Sequence, residues 1–461
     1  MNWQPILTAM LPEHLLLAGI VLLLVLEIAS AKPRGSLALS LVTVGAAAAA
    51  AAWLHAIGYN TAPFPGHFSV DAGSSLAKAV VLALGVPVLL LARDDFVEGP
   101  FYPLLLSSLY GFCLLLSSDS FLTLFLGLEL MSLPVYVLVL LAFQRPESPE
   151  AGLKYLVLGG TATALFLMGV SFLYGGTASL ALPAFASALG AKDTMAMAAV
   201  VLIVIAFFLK AAVVPFHAWA PDAYEGASVT VTAYMATIIK AGVVLAALRL
   251  FGTTRVSGTM VDLIAILPLV SIVWGNLAAI RQTSFRRMIA YSSIAHAGYL
   301  FYAFLGEGAG RLQAVVFYLV AYGLMNLLAF ASIPKGTDDA SRDRLDNWRG
   351  LFHRDPYGAV MIAIAMLSLA GIPPFPGFVA KFLIFKNVMA AGYTTYAVLG
   401  LVGSYLGIYF YLRVIQHMFM SPEDAGSVRA TPGGAALVAS VVCLVPVVLI
   451  SVFPGWVFGR F

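Results

Sequence analysis

Apolar residues run along this chain in blocks of about twenty, the length of one helical bilayer crossing, and short polar connections separate the blocks. Fourteen blocks are centred near residues 21, 46, 82, 110, 131, 164, 206, 239, 271, 295, 323, 368, 406 and 443. The pattern predicts an all-α polytopic membrane protein with about 14 transmembrane helices. The start, MNWQPILTAMLPEH, has no basic segment before its first apolar run, so residues 13–30 read as a retained first helix. The alanine run Ala46–Ala52 reads as a helix-packing surface, since small residues let neighbouring helices approach closely in lipid. The longest polar stretch, residues 335–356, is expected to be a surface loop with one interfacial helix, and no stretch suits a soluble domain.

Two blocks are interrupted. In FFLKAAVVPFHAWAPDAYEG, residues 207–226, Pro215 has no N–H for the carbonyl of Ala211 and clashes with it, which predicts a kink and a free acceptor. In GIPPFPGFVAK, residues 371–381, Pro373, Pro374 and Pro376 free the carbonyls of Leu369, Ala370 and Ile372, and Lys381 follows the break. The broken blocks, seven and twelve, are five apart. That spacing is expected if blocks four to eight and nine to thirteen copy one five-helix unit, whose odd helix number inverts the second copy. The chain then divides into N-terminal helices 1–3 (1–100), a first repeat (101–252), a second, inverted repeat (260–421) and a C-terminal helix (432–461). The repeat rests on spacing and breaks alone, because no sequence identity between the halves is visible.

Composition supports the membrane reading, with 61% hydrophobic and 10% charged residues against about a quarter charged in soluble domains. The net charge of +3 is small and scattered, which gives no argument for nucleic acid. Cys113 and Cys443 stand alone in apolar blocks, so no iron–sulfur, zinc or c-type haem site is expected in this chain.

Loops after odd-numbered blocks hold fourteen Lys and Arg residues, among them Lys32, Arg145, Arg287, Lys335 and Arg429. The opposite side holds five, Lys192, Arg249, Arg255, Arg311 and Arg460, which places both termini outside the cytoplasm. The other six basic residues lie in or near the blocks, and all are lysines: Lys78, Lys154, Lys210, Lys240, Lys381 and Lys386. A buried lysine can lose and regain a proton near neutrality, whereas arginine effectively cannot.

Glu129, in FLTLFLGLELMSLPVYVLVLL, is the acid that stands out among apolar neighbours. Paired with a lysine of another helix it reads either as a static ion pair fixing helix register or as a pair that an arriving proton switches. His217 and His296 read either as packed residues with satisfied nitrogens or as relays. Glu27 and Asp262 read as near-interface charges. Ser292 and His296 share a helix face, but no nucleophile elbow surrounds them, which argues against acyl chemistry. Moving one charge through 100 mV is worth about 2.3 kcal/mol and one pKa unit about 1.36, so shifts of roughly two units per site suffice for transport.

FLKAAVVPFHAWAPDAYEGA, ATIIKAG, RRMIAYSSIAHAGY and GIPPFPGFVAKF, in this order, resemble the antiporter-like membrane subunits of respiratory complex I, the proton-translocating NADH:quinone oxidoreductase. The subunit N branch, the counterpart of mitochondrial subunit 2, is the most similar, on PDAYEGA and on Lys381, where subunit M relatives carry glutamate. The lack of a long extra C-terminal amphipathic helix argues against subunit L. The resemblance implies a multi-pass, proton-translocating subunit of the bacterial inner membrane with periplasmic termini, a non-redox part of an enzyme. NADH, FMN, iron–sulfur clusters and quinone are then expected in partner subunits, with subunit M and K/J-type neighbours and no cofactor in this chain. It also implies Glu129 as the acid of the fifth helix and Lys210 as its partner. On the same resemblance Lys154, His217 and Lys240 are expected on or beside the path to the centre, with His296 leading to Lys381 on the outlet side. The chain departs from the pattern at Ser228 and Val229, where relatives carry a proline-containing stretch, and at Ala380, where a glycine is common.

Two rivals are a subunit of a multisubunit sodium/proton antiporter and a structural scaffold for partner subunits. PDAYEGA weighs against the first, and the selection of lysines with two broken helices against the second. A lipid- or sugar-modifying enzyme lacks an acidic or metal-binding loop cluster.

Overall fold

The computed structural model describes residues 3–29, 33–95, 100–142, 145–191, 193–252, 254–256, 258–334, 342–420 and 433–455. After a short α1 (Trp3–Ala9) come α2 (Leu11–Ile28) and α3 (Pro33–Ala56), a hairpin of β1 (Thr61–Phe64) and β2 (Phe68–Val70), and α4 (Ala72–Asp95). Next follow α5 (Phe101–Leu116), α6 (Phe121–Leu140), α7 (Ser148–Thr177), α8 (Pro183–Leu189), α9 (Thr194–Ala211) and α10 (Trp219–Gly226). α11 (Val229–Tyr234) passes through a π-helical turn, Met235–Ile239, directly into α12 (Lys240–Phe251). The second half holds α13 (Thr259–Ile280), α14 (Phe285–Tyr302), α15 (Gly308–Ala331), α16 (Leu351–Arg354), α17 (Pro356–Ala370), α18 (Pro376–Ala390), α19 (Thr394–Met420) and α20 (Gly434–Val452).

Each of the fourteen block centres falls in a helical run. By length and composition, 12 runs among the described residues can cross a membrane; α5 and α17 are apolar but shorter. Burial sorts these runs. The apolar windows of α11–α12, of α14 and of α15 are 94% buried, whereas those of α2 and α7 are 28% buried. A helix apolar all round but buried only on one side faces lipid with the rest, so α11–α12, α14 and α15 form the core.

The two ends of the bundle differ in chemistry. At one end Arg342 pairs with Asp95 (2.9 Å), Arg286 with Asp343 (2.7 Å) and Arg287 with Asp222 (2.9 Å) and Glu225 (2.8 Å). At the other, Arg249 reaches Asp119 and Ser69 of the hairpin, both at 2.9 Å, and Arg311 donates to the carbonyls of Gly252, Thr254 and Gly306. Lys32, Lys335 and Arg429 of the basic-loop tally, and Lys192 and Arg460 of the opposite one, lie outside the described residues.

The connection before α17 departs from the expected surface loop. Its residues 335–341 lie outside the described residues, but from Arg342 onward it is anchored inward. Trp348 is buried against Phe285 with ring centroids 4.7 Å apart, and Asp343 is buried between Arg286 and Arg145. Two arginines lower the cost of burying that carboxylate, so a stretch polar in sequence packs into the protein.

Candidate functional site

α9 ends outright rather than kinking. Ala212 takes a left-handed φ of 62°, Val213 donates to the Phe208 carbonyl (2.8 Å), and Val214 donates to Ser271 Oγ (2.8 Å). The chain turns through a cis Val214–Pro215 bond and restarts at Trp219, whose indole N–H donates to the Leu209 carbonyl (2.9 Å). The Leu209 carbonyl also accepts from the Ala212 N–H (3.2 Å), so the indole is a second donor to a carbonyl in the last turn of the helix. Lys210, at that helix end where the dipole favours a cation, lies 2.9 Å from Glu129 Oε1 of α6. Thr163 of α7 donates to the same oxygen at 2.6 Å. The two charged side chains are only 7% and 17% exposed. Beside Lys210 is a cavity of about 10 Å³, lined in part by Ser132, Tyr136, Tyr155, Trp219 and Ile239, which is room for one water.

The core helices carry the next groups. Lys240 follows the π-turn and donates to both the carbonyl and the hydroxyl of Ser293 on α14. Ser293 Oγ also lies 3.2 Å from the Tyr224 hydroxyl of α10. One turn along α14, His296 is buried with both ring nitrogens in hydrogen bonds, Nδ1 to Tyr318 (2.7 Å) and Nε2 to Tyr411 (3.1 Å).

At the second break α17 stops at Ala370, Gly371 turns with φ 82°, and α18 starts at Pro376. Of the carbonyls expected to be free, that of Ile372 accepts from Phe375 N–H (3.2 Å) and that of Ala370 accepts from Lys381 Nζ (3.0 Å). Lys381 Nζ also sits 5.0 Å from the Tyr299 ring centre, a cation–π distance. Among the described residues no carboxylate pairs with it. Two glycines make this turn possible: a Cβ on Gly371 would meet Lys381 Cδ at 3.0 Å, and one on Gly377 would meet the Ser368 carbonyl oxygen at 1.8 Å.

Residues 118–407 match the family model described as NADH:quinone oxidoreductase/Mrp antiporter, TM. The NADH-quinone oxidoreductase subunit N of Pelobacter propionicus is 39% identical over 441 residues, 94% of each chain. The chain belongs to the NADH-quinone oxidoreductase subunit N family. The relative from Trichlorobacter lovleyi is 36% identical over 96% of this chain and 95% of its own. A chain of respiratory complex I from Thermus thermophilus with bound aureothin superposes with a TM-score of 0.83 at 33% identity, covering 96% of this chain and 97% of that one. A chain of the Mrp complex from Dietzia sp. DQ12-45-1b gives 0.85 at 22% identity, over 98% and 96%, and shares the fold. The segment matched by the family model contains both breaks together with Glu129, Lys210, Lys240, His296 and Lys381.

In this subunit N family member two of the residues expected on the path stand apart from the buried series. Lys154 is 42% exposed and bridges Glu150 (2.6 Å) and Asp222 (2.7 Å) at the arginine-rich end. His217 lies within the first break and accepts from the half-exposed Trp274 indole (3.0 Å). Glu13 is a buried charge without a counterpart among the expected site residues: its carboxylate lies 2.5 Å from Lys78 with both side chains 1% exposed, while Lys78 also donates to Ser117 (2.6 Å). An acid in the first turn of block one and a lysine in the first turns of block three, at the same end of the bundle, was the available signal. Tyr224, Tyr318 and Tyr411 are buried too, among other polar side chains of the core helices such as Thr232, Ser292, Ser293 and Asn326.

Proposed function

We propose that the chain translocates protons as the subunit N component of a bacterial NADH:quinone oxidoreductase, an enzyme complex in which it holds no redox centre. NADH, FMN, iron–sulfur clusters and quinone then act in partner subunits. Subunit M and K/J-type subunits lie beside it in the inner membrane, and both termini face the periplasm. Residues 101–252 and 260–421 are the two inverted repeats, each contributing one broken helix.

The observation that carries this reading is the series of buried amines and imidazole between the breaks. Lys210 is held by a carboxylate, Lys240 by Ser293, and Lys381 by the Ala370 carbonyl. A proton reaching Glu129 removes the negative charge that holds Lys210 as an ammonium, so Lys210 is free to pass a proton on. Its receivers are the water-sized cavity and then Lys240, the residue after cavity-lining Ile239. Ser293 and Tyr224 hold the Lys240 amine in place, and His296 carries the proton toward Lys381. Lys154 lies at the arginine-rich, cytoplasmic end of the path, and His217 lies beside the first break.

The test is Lys210→Ala in the intact complex reconstituted into liposomes. Pumping is expected to fall about tenfold or more while the complex remains assembled, in line with the contribution of a positioned proton donor. Wild-type pumping in this variant overturns the reading. Sodium-dependent exchange by a chain that purifies without flavin or iron–sulfur spectra assigns it to an antiporter instead.

A further inference from the structure

Resting on that reading, we propose that Tyr318 and Tyr411 are proton-relay residues, joined through His296 into one chain, Tyr318–His296–Tyr411–Ser292, that passes a single proton per reset. Tyr318 lies on α15, His296 and Ser292 on α14, and Tyr411 on α19, so three helices converge on one imidazole. The links measure 2.7 Å from Tyr318 to Nδ1, 3.1 Å from Nε2 to Tyr411 and 2.5 Å from Tyr411 to Ser292 Oγ. All four residues are buried.

A neutral imidazole carries one N–H and one bare nitrogen, while a tyrosine or serine hydroxyl both donates and accepts. The chain is therefore complete in two opposite directions. In the first, Tyr318 donates to Nδ1, Nε2–H donates to Tyr411, and Tyr411 donates to Ser292. In the second, Ser292 donates to Tyr411, Tyr411 donates to Nε2, and Nδ1–H donates to Tyr318. The imidazolium is accommodated as well, with both hydroxyl oxygens accepting.

One passage converts the first direction into the second. The Tyr318 proton moves to Nδ1, the Nε2 proton to the Tyr411 oxygen, and the Tyr411 proton to Ser292 Oγ. Tyr318 takes a replacement proton from its donor, a hydronium or an ammonium, and Ser292 releases its original proton to a basic acceptor, water or an amine. Every group begins and ends neutral, and one proton has crossed. Nδ1 now carries a hydrogen, so a second proton cannot enter through Tyr318 until the imidazole tautomer and the hydroxyls return. Run backwards, the chain carries a proton from Ser292 to Tyr318 under the same limit.

The experiment compares Tyr318→Phe, Tyr411→Phe and His296→Gln in the intact complex in liposomes, with Lys210→Ala alongside. The readouts are the proton/electron ratio and the H₂O/D₂O effect on pumping. Phenylalanine keeps the ring and removes only the hydroxyl, and glutamine keeps one donor and one acceptor but cannot exchange tautomers. Each of the three variants is expected to lower pumping about tenfold or more, the scale of a lost acid–base group. In residual activity the solvent isotope effect is expected to change, which a packing role does not produce. Wild-type ratios and isotope effects in both tyrosine variants overturn the relay, and so does wild-type pumping in His296→Gln should a tyrosine variant fail to assemble. If Lys210→Ala loses pumping while these variants keep it, only the relay falls. If Lys210→Ala pumps normally, the underlying reading falls.

Discussion

The two broken helices set a lysine beside a helix C-terminus in two different ways. At the first, Lys210 is the penultimate residue of α9 and meets a carboxylate from another helix. At the second, Lys381 belongs to the helix after the break and reaches back to the last carbonyl of the helix before it. Both amines thus sit at the negative end of a helix dipole, but only the first has a partner whose charge can change. The first break offers its lysine a titratable partner, and the second offers a fixed carbonyl acceptor. The supports differ too. An indole closes the first break from outside the turn, whereas the second depends on glycines that leave room for a carbonyl and an amine.

The largest effect is expected from Gly377→Ala. Its Cβ would lie 1.8 Å from a backbone oxygen, which no rotamer relieves. Overpacking of this kind costs about 3 kcal/mol or more, and the amount of assembled complex in membranes should fall sharply. Normal assembly would mean that the second break is as adaptable as the first.

Comparable in size is the effect at the Glu129–Lys210 pair. Removing one partner of a buried pair costs about 3 to 5 kcal/mol, whereas removing both leaves no stranded charge. Glu129→Gln and Lys210→Met are each expected to lower thermal stability and pumping. The double variant should regain stability but not pumping. Wild-type pumping in all three would make the pair a register lock and erase the functional contrast between the breaks.

The smallest effect belongs to Trp219→Phe, which deletes the bond to the Leu209 carbonyl while keeping a ring for the stack on Tyr155, whose centroid is 4.4 Å away. About 1 kcal/mol of stability should be lost, read as a lower midpoint in thermal unfolding of the complex. A loss as large as that of Gly377→Ala would show that the indole, and not the turn, holds the first break open.

The positions of the breaks were readable because proline removes a donor wherever it stands. At the second break the freed acceptor was readable too, since Ala370 is the carbonyl that Lys381 uses. At the first the carbonyl taken by the indole is that of Leu209 instead of Ala211, because the helix already ends at the left-handed Ala212, three residues before Pro215. Glu129 was legible as a charge among apolar residues. Which lysine it meets depends on the packing of helices 81 residues apart in sequence. Tyrosines gave no signal, since a buried hydroxyl looks like any aromatic core residue until its partners from other helices are known.

The Glu13–Lys78 pair bears on the order in which the molecule is made. When the first crossing enters the membrane, the amine that will neutralise Glu13 lies 65 residues downstream (78 minus 13) and has not been synthesised. Until then the carboxylate favours the water boundary, because a lone charge in hydrocarbon costs about 2.5 to 3.5 kcal/mol. α4 brings the Lys78 ammonium to the first turn of α2, and Ser117 at the end of α5 accepts from the same ammonium. The N-terminal helices therefore close like a latch, whose bolt is delivered by α4 and seated at the end of α5.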